Sequence, residues 1–583
     1  MASALADPEK ASRLSVIKFG GSVLTCETDF RAAGAETYRH IRTGEKAIII
    51  VSAIAGETDA LLRQAEALGG SAADTARLVR LGEYRSAALM GLELARLGVR
   101  TRVLDPHEIG LVAQGDPLDA DLSALDEAAL ERALDDADAL VVPGFTAGHA
   151  VHGAATLGRG GTDLTAVFFA ARTGADRVRL IKDVDGVYSE DPAVNPKAAR
   201  YDALDYDAAL QASRGLIQPK AIEAARAGGV VIEVAAMGAG AATRIAPGPA
   251  SPGRLRHRGP MRVALLGCGA VGSGVLDYLR GHPELFELNP VLVRTPSRRR
   301  DDPRAAFTAL IGEALDGGPD LVVELLGGAD GPAAIMQGAL SAGARVVTAN
   351  KAAVARHYDA LHAGGESGRL AYSAAVGGGV PVIEHVAALK SAGLASIEGV
   401  MNGTANFILD RLAAGSEFGD ALAEAQRLGF AEADPSADVE GHDAADKLSI
   451  LIREAFGVAL PPDDITKQSL SEVSADKAAE AAARGLVYKQ IGRCRLAGGR
   501  VEASVSVETV PAGHPLAGAR NEENRFVLTD AAGRTRALYG KGAGRWPTAA
   551  AVFADIMDMR RAWSGDERVQ GRATVRAAAL KSA

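Results

Sequence analysis

Short apolar runs that end in glycine turns set the rhythm of the chain. In the first half they are LSVIKFGGS at 14–22, AIIIVSA, ALVVPGF, RVRLIKD and VVIEVAA; in the second they are MRVALLGCGAVG at 261–272, PVLVR, DLVVELLG and RVVTAN. Strand-like segments alternating with helix-like ones predict parallel α/β domains. The stretch HDAADKLSILIREAF, 442–456, reads as a helix with Leu448, Leu451 and Ile452 on its core stripe. The pattern lapses once, in AGAATRIAPGPASPGRLRHRGP, where proline, glycine and small residues replace apolar periodicity as in a linker. The expected division is a domain over 14–245, a linker over 246–260 and a second half from 261, with no internal repeat.

At 583 residues the chain is too long for one core and suggests about four structural units. Hydrophobic residues make up 48% and charged residues 23%, an ordinary globular balance. A formal net charge of −9 argues against nucleic-acid or anionic-membrane partners, which need a basic face. Three scattered cysteines, Cys26, Cys268 and Cys494, lack metal-ligand spacing, and their odd number fits a reducing compartment, read as the cytoplasm. The N-terminus has no signal-peptide order, and no apolar run reaches the length of a membrane span.

Gly267, Gly269 and Gly272 form G-x-G-x-x-G between a predicted strand and a predicted helix, with Ala270 and Val271 inside the motif. In that setting the glycines permit a tight turn, close backbone approach to a pyrophosphate and close helix–strand packing. The next strand, PVLVR, ends in Arg294, where a site selective for NAD usually carries an acid, and Arg298 to Arg300 follow. Arginine there favours the 2′-phosphate of NADP, with NAD as the alternative. Further on, FAEADPSADVEGHDAADK gathers Glu432, Asp434, Asp438, Glu440, Asp443 and Asp446 ahead of Lys447. Asp443 and Lys447 are four apart and share a helix face; on spacing alone that is an ordinary surface ion pair.

Seven blocks in order, LLGCGAVGSGV, VVELLGG, TANKA, AVGGGVPVI, GVMNGTANFILDRL, FAEADPSADVEGHDAADKLSIL and GKGAGRWPTAAAV, resemble homoserine dehydrogenase across residues 261 to 560. The resemblance implies a Rossmann NADP-binding domain over 261–395, an α+β catalytic and dimerisation domain over 396–530, and a C-terminal return to the Rossmann domain over 531–575. It also implies hydride transfer between aspartate semialdehyde and homoserine, in a homodimer or higher oligomer. Lys447 is then the group that protonates the carbonyl oxygen, Asp443 holds it and binds substrate, and Glu432 and Asp438 belong to the acidic pocket for the substrate ammonium. Lys351 lies near cofactor and substrate; Leu326, Gly327, Thr348 and Ala349 line the nicotinamide side, and Gly542 and Gly544 close over the cofactor. The carbonyls of Val376, Gly378 and Val380 match a monovalent-cation loop, but Ser373 stands where the family commonly has glutamate, which counts against a bound cation.

No G-x-x-x-x-G-K-[ST] occurs in the chain, so the first half has no P-loop. VIKFGGS instead places Lys18 at a strand end, with Gly20, Gly21 and Ser22 in the turn behind it, and LGRGGTD supplies a second glycine turn with Arg159 and Asp163. Successive N–H groups in such turns form anion nests, and a lysine beside them neutralises a transferring phosphoryl group. With VSAIAGETDALL, LGEYRSAALM, VVPGFTAGH and DVDGVYSEDP, residues 14 to about 245 are similar to the amino-acid kinase superfamily and, within it, to aspartate kinase. That implies a three-layer α/β domain in which Lys18 and Asp163 are catalytic and Thr58, Glu83 and Arg159 hold aspartate. It places Lys182, Asp183 and Asp185 on ATP, with Mg²⁺ bridging the phosphates.

The departures from aspartate kinase are KFGGSVL, one residue shorter than KFGGTSV; Lys182 for threonine; Ala193 for arginine; and Lys220 as the lysine of SRGLIQPK. They leave open a non-catalytic module or a kinase for a different acid. Some twenty residues join the halves where the familiar fused enzymes carry a regulatory segment, and about two dozen follow DIMDM, too few for a regulatory domain. Weak or absent feedback by threonine is therefore expected.

Overall fold

The computed structural model describes residues 13–565, apart from 196, 214, 254–258, 300–301, 364–367, 429 and 432–433. Two compact units divide between 257 and 258. The first is built on a nine-stranded sheet whose parallel part runs, in spatial order, Ile232–Ala236, Arg177–Lys182, Leu14–Phe19, Lys46–Val51, Ala139–Pro143 and Thr101–Val103. Val16, Ile48 and Ile50 join Phe169 in one core cluster, which explains why these runs are apolar almost throughout. Helices Asp29–Ile41 and Ala72–Leu97 pack on each other, as do Gly161–Thr173 and Pro219–Gly228. All the predicted strands of this half are present.

Two features depart from the expected layout. The segment read as the start of the linker contains strand Ser251–Pro252, which pairs with Tyr201–Leu204 and so belongs to the first sheet. A separate four-stranded sheet of Asp119–Ala124, Val112–Asp116, Thr146–His149 and Ala155–Thr156 flanks the glycine turn at 158–160. Its strands are too short and too rich in Asp, Gly and Ala to stand out in the sequence.

In the second unit the parallel sheet runs Phe307–Thr308, Val291–Leu292, Met261–Leu266, Leu321–Glu324, Arg345–Thr348 and Leu370–Ala371. With the seventh strand, Phe286–Leu288, which also pairs with Met261–Leu266, set aside, numbering along the chain gives the order 3-2-1-4-5-6 of dinucleotide-binding domains, with ligands expected outside the carboxyl ends of the strands. A second, six-stranded and mostly antiparallel sheet follows: Thr466–Lys467, Arg500–Pro511, Leu486–Ala497, Leu394–Val400, Glu523–Asp530 and Thr535–Lys541. Helix His442–Phe456, the one the sequence predicts over 442–456, packs on this sheet through Leu448 and Leu451. Strand Thr535–Lys541 belongs to the catalytic sheet, so the return to the Rossmann domain is made by helix Arg545–Gly565 alone. It lies against helix Ala270–Arg280, where Arg545 donates to Asp277 at 2.8 Å.

Candidate active sites

The dinucleotide cradle tests each glycine separately. Gly267 has φ +102°, and a Cβ there would stand 2.5 Å from the Leu325 carbonyl oxygen. At Gly272 a Cβ would meet the Gly267 carbonyl oxygen at 2.1 Å, so only glycine lets helix Ala270–Arg280 start so close to the strand. Around Gly269, at the helix N-terminus, nothing lies within 4 Å of a Cβ position, which leaves room for a phosphate against the N–H groups. The residues present therefore fit a nicotinamide dinucleotide. Arg294 is exposed just past strand Val291–Leu292 and makes no ion pair with the described residues. Arg298 is also exposed; Arg300 falls outside the described residues.

On the far side of the cradle, Leu326 and Ala349 are half-buried, Gly327 is exposed and Thr348 is buried. Thr348 donates to Glu324 at 2.6 Å, and Glu324 also accepts the Leu326 N–H at 2.6 Å. Glu324 is fully buried, and burial raises its carboxyl above the ordinary value. It holds two strand ends together, and the sequence signal for it was available: one acid inside the apolar run VVELL. Asn350 caps helix Lys351–His362 by accepting from Ala353 N–H and donates to the Gly328 carbonyl at 2.8 Å.

Lys351, first in that helix, reaches Asp443 at 3.0 Å. Asp443 Oδ2 in turn accepts from Lys447 Nζ at 2.7 Å and from the Asn402 amide at 2.9 Å. The Lys447 ammonium also donates to the Met401 carbonyl at 2.6 Å, leaving one of its three N–H groups for a ligand among the described contacts. Burial pushes the Asp443 carboxyl up, but Lys447 and then Lys351 outweigh it and hold it far below the usual range. Asp443 in turn raises Lys351. Asp438 and Asp446 are both pushed up, chiefly by burial. The acids and lysines of the predicted pocket thus converge, except that Glu432 lies outside the described residues. Met401 and Asn402, which the sequence reading did not single out, hold the cluster from strand Leu394–Val400.

Gly542 and Gly544 sit in the turn after strand Thr535–Lys541, and Gly544 has φ +121°. Gly378, at φ +61°, packs so tightly on this turn that a Cβ would approach the Gly542 carbonyl oxygen at 2.3 Å. Val376 and Val380 of the same loop are buried. Ser373 donates its N–H and its hydroxyl to Asp555, each at 2.9 Å, so helix Arg545–Gly565 brings a carboxylate to this loop that the sequence reading did not foresee.

In the first unit, strands Leu14–Phe19 and Arg177–Lys182 lie side by side and carry Lys18 and Lys182 at their carboxyl ends. Both ammonium groups meet Asp163, in the first turn of helix Gly161–Thr173: Lys18 at 2.7 Å on Oδ1, Lys182 at 2.9 Å on Oδ2. Burial raises the Asp163 carboxyl, but the two ammonium groups prevail and hold it below its ordinary value. Lys182 is lowered, first by burial and then by Lys18. Gly20 leaves the Lys18 tip its room, since a Cβ would stand 2.6 Å from Lys18 Nζ. Glu83 is buried in helix Ala72–Leu97, and burial raises its carboxyl well above the usual range while the Lys18 charge opposes the shift. Thr58 is half-buried at the start of helix Glu57–Ala67, whose Glu57 adds to the rise at Glu83.

Other predicted kinase residues lie outside the hydrogen bonds of this cluster, although the Asp183 charge acts on Lys182. Ser22, Arg159 and Asp183 are exposed, Gly21 is half-buried, and Arg159 makes no hydrogen bond or ion pair with described residues. Asp185 is committed to Tyr188 at 2.6 Å and to Arg200 at 3.7 Å. Lys220 is tied to Asp121 at 2.7 Å, on the flanking four-stranded sheet. Among the described residues no three His, Cys, Asp or Glu side chains converge as a metal site, and no helix is long and apolar enough to cross a membrane.

Comparison with known proteins adds three matches to family models. Residues 13–236 match the amino acid kinase family, 267–372 the homoserine dehydrogenase NAD-binding domain, and 381–557 homoserine dehydrogenase. Homoserine dehydrogenase of Corynebacterium glutamicum is 36% identical over 336 residues, spanning 54% of this chain and 74% of that relative. The Pseudomonas aeruginosa homoserine dehydrogenase is 37% identical over 321 residues, 53% of this chain and 74% of the relative. A solved homoserine dehydrogenase from Thiobacillus denitrificans is 33% identical, with a TM-score of 0.50 over 53% of this chain and 75% of its own.

Proposed function

Since the chain belongs to the homoserine dehydrogenase family, and carries an amino acid kinase domain ahead of the dehydrogenase part, we propose a two-step enzyme. The second unit reduces L-aspartate 4-semialdehyde to L-homoserine with NADPH, and the first phosphorylates L-aspartate with ATP. Lys351 carries the dehydrogenase reading: it opens the helix after a Rossmann strand and pairs at 3.0 Å with Asp443, one helical turn before Lys447. That pair ties the cofactor side of the fold to the acid cluster.

A nicotinamide dinucleotide held at Gly267–Gly272 supplies the hydride when bound. The protein's part is the proton and the grip. Lys447, fixed by Asp443 and the Met401 carbonyl, points its remaining N–H at the substrate carbonyl oxygen and gives up a proton there as negative charge develops. Asp438, half-buried, and Asp446, buried, offer anions to the substrate ammonium. Arg294 is exposed and makes no ion pair with the described residues, so its guanidinium can meet a 2′-phosphate, which supports NADP over NAD.

In the first unit Lys18 and Lys182 bracket Asp163, so that three buried charges sum to one positive charge at the strand ends. That sign suits a transferring phosphoryl group, with Asp163 fixing both lysines. Mg²⁺ arriving on the nucleotide phosphates would need few protein ligands. A paired assay on the purified chain tests the whole reading: NADPH oxidation driven by aspartate semialdehyde, and hydroxamate capture of aspartyl phosphate from aspartate and ATP. Both signals are expected; absence of the first would overturn the proposal for the second unit, and absence of the second that for the kinase.

A further inference from the structure

Asn402 occupies the turn between strand Leu394–Val400 and helix Gly403–Ala413 and is buried to within 5% of full enclosure. Its side chain makes three contacts. Oδ1 accepts the Ala405 N–H at 2.8 Å and so caps the helix. Nδ2 donates to Asp438 Oδ1 at 2.7 Å and to Asp443 Oδ2 at 2.9 Å. The amide orientation follows from these partners, because a flipped group would aim its oxygen at two carboxylates and its N–H₂ at a backbone donor. One nitrogen thus bridges two acids that would otherwise repel each other.

We infer that Asn402 is a positioning residue: its two N–H groups hold Asp438 and Asp443 side by side, so that Asp443 serves Lys447 and Lys351 while the other oxygen of Asp438 is left to receive the substrate's ammonium group. This rests on the dehydrogenase reading above. Asp443 already takes Lys447 and Lys351, one on each oxygen, and has no charge to spare for substrate. Asp438 has no lysine within salt-bridge distance among the described residues; the Thr404 hydroxyl also bears on its carboxylate, and the Asn402 amide is the donor shared with Asp443 that sets the two acids side by side. The charged groups around the pair are Lys447, Asp446 and His442 on helix His442–Phe456, and Lys351 and Arg356 on helix Lys351–His362.

Two substitutions separate capping from bridging. Asn402→Ser keeps an oxygen for the Ala405 N–H and replaces the two amide N–H groups by one hydroxyl on a shorter side chain, which cannot bridge both acids; Asn402→Asp keeps the shape and the cap but sets a third carboxylate against the other two. Losing a donor to a carboxylate raises its pKa, and adding a neighbouring anion raises it further. Asp438 is then protonated at a higher pH, so the acid limb of kcat/KM for aspartate semialdehyde moves up in Asn402→Ser and further up in Asn402→Asp. Above that limb the loss in kcat/KM is about tenfold to a hundredfold for Asn402→Ser, mostly in KM, as for removal of a charged hydrogen bond. NADPH binding by fluorescence titration should be unchanged, since Asn402 does not touch the cradle.

An unmoved acid limb in both variants, or equal limbs in the two, overturns the inference. So does loss of NADPH binding together with cooperative melting in both, which would make Asn402 structural only. Failure of the dehydrogenase reading would show separately, as no aspartate semialdehyde-dependent oxidation in the unmodified chain.

Discussion

Each unit of this chain places one aspartate between two lysines, and the two clusters share nearly the same distances: 2.7 and 2.9 Å around Asp163, 2.7 and 3.0 Å around Asp443. They differ in what surrounds them. Lys18 and Lys182 leave adjacent parallel strands, Asp163 opens a helix, and the acids that act on them from nearby are Glu83, whose own ionisation burial opposes, and the exposed Asp183 beside Lys182. Around Asp443 the lysines come from two helices, and Asp438 and Asp446 add shielded carboxylates that, with Arg356 nearby, bring the charges close to balance. The first triad keeps its positive charge among buried groups and the second does not, so under the proposed reading one geometric unit suits a phosphoryl group in one place and an ammonium group in the other. The sign of a site belongs to its neighbours, not to its central triad.

Crossed lysine variants probe that contrast with the largest effect. Lys447→Ala should lower aspartate semialdehyde-dependent NADPH oxidation about a thousandfold, the scale of a lost general acid, and leave hydroxamate formation intact. Lys18→Ala should do the reverse, by about a hundredfold or more, as for a lost charge on a developing phosphoryl anion. A variant that lowers both rates alike would break the comparison.

Removing the central carboxylate sharpens it. Asp163→Asn leaves two nearly enclosed ammonium groups, 7% and 10% exposed at the side chain, with no anion between them. The expected cost is about 3 kcal/mol or more, read as an earlier unfolding step in a thermal melt. Asp443→Asn should cost less, about 1 to 2 kcal/mol, because Lys351 is 37% exposed and can turn to water and Asp438 and Asp446 remain. Equal losses would show that the surrounding acids do not share the load.

The smallest expected effect concerns how the second unit meets a phosphate, with an exposed guanidinium where the first uses buried lysines. Arg294→Ala should weaken NADPH binding about tenfold, the scale of one exposed charge-assisted contact, and leave NADH binding unchanged in parallel fluorescence titrations. An equal change for both cofactors would remove Arg294 from cofactor selection.

The parallel strands were legible because each is an apolar run stopped by glycine, and helix His442–Phe456 because Leu448, Leu451 and Ile452 recur at helical spacing. The antiparallel sheet was not read, although Val501, Ala503, Val505 and Val507 alternate along Arg500–Pro511. Its partner Leu486–Ala497 carries Lys489, fully buried with its ammonium on the Ala519 carbonyl at 2.7 Å, and a lysine in that place reads as surface. In the acid cluster, Asp443, Lys447 and Lys351 followed from the resemblance to homoserine dehydrogenase, since the spacing of Asp443 and Lys447 alone reads as a surface ion pair. Met401 contributes a backbone carbonyl, which leaves no trace in side-chain chemistry, and Asn402 before Gly403 reads as a turn. Arg159 and Asp183 matched a motif, yet their exposed side chains make no contact with the lysine cluster among the described residues.

Gly20 has a further bearing on how such a polypeptide changes over generations. A methyl there would press on the tip of Lys18 and on no backbone atom within 4 Å, so the strand would still form and only the ammonium would have to shift. Glycine and alanine codons differ by a single nucleotide. A change that disturbs one proposed chemistry and leaves the other untouched therefore lies one inherited base change away.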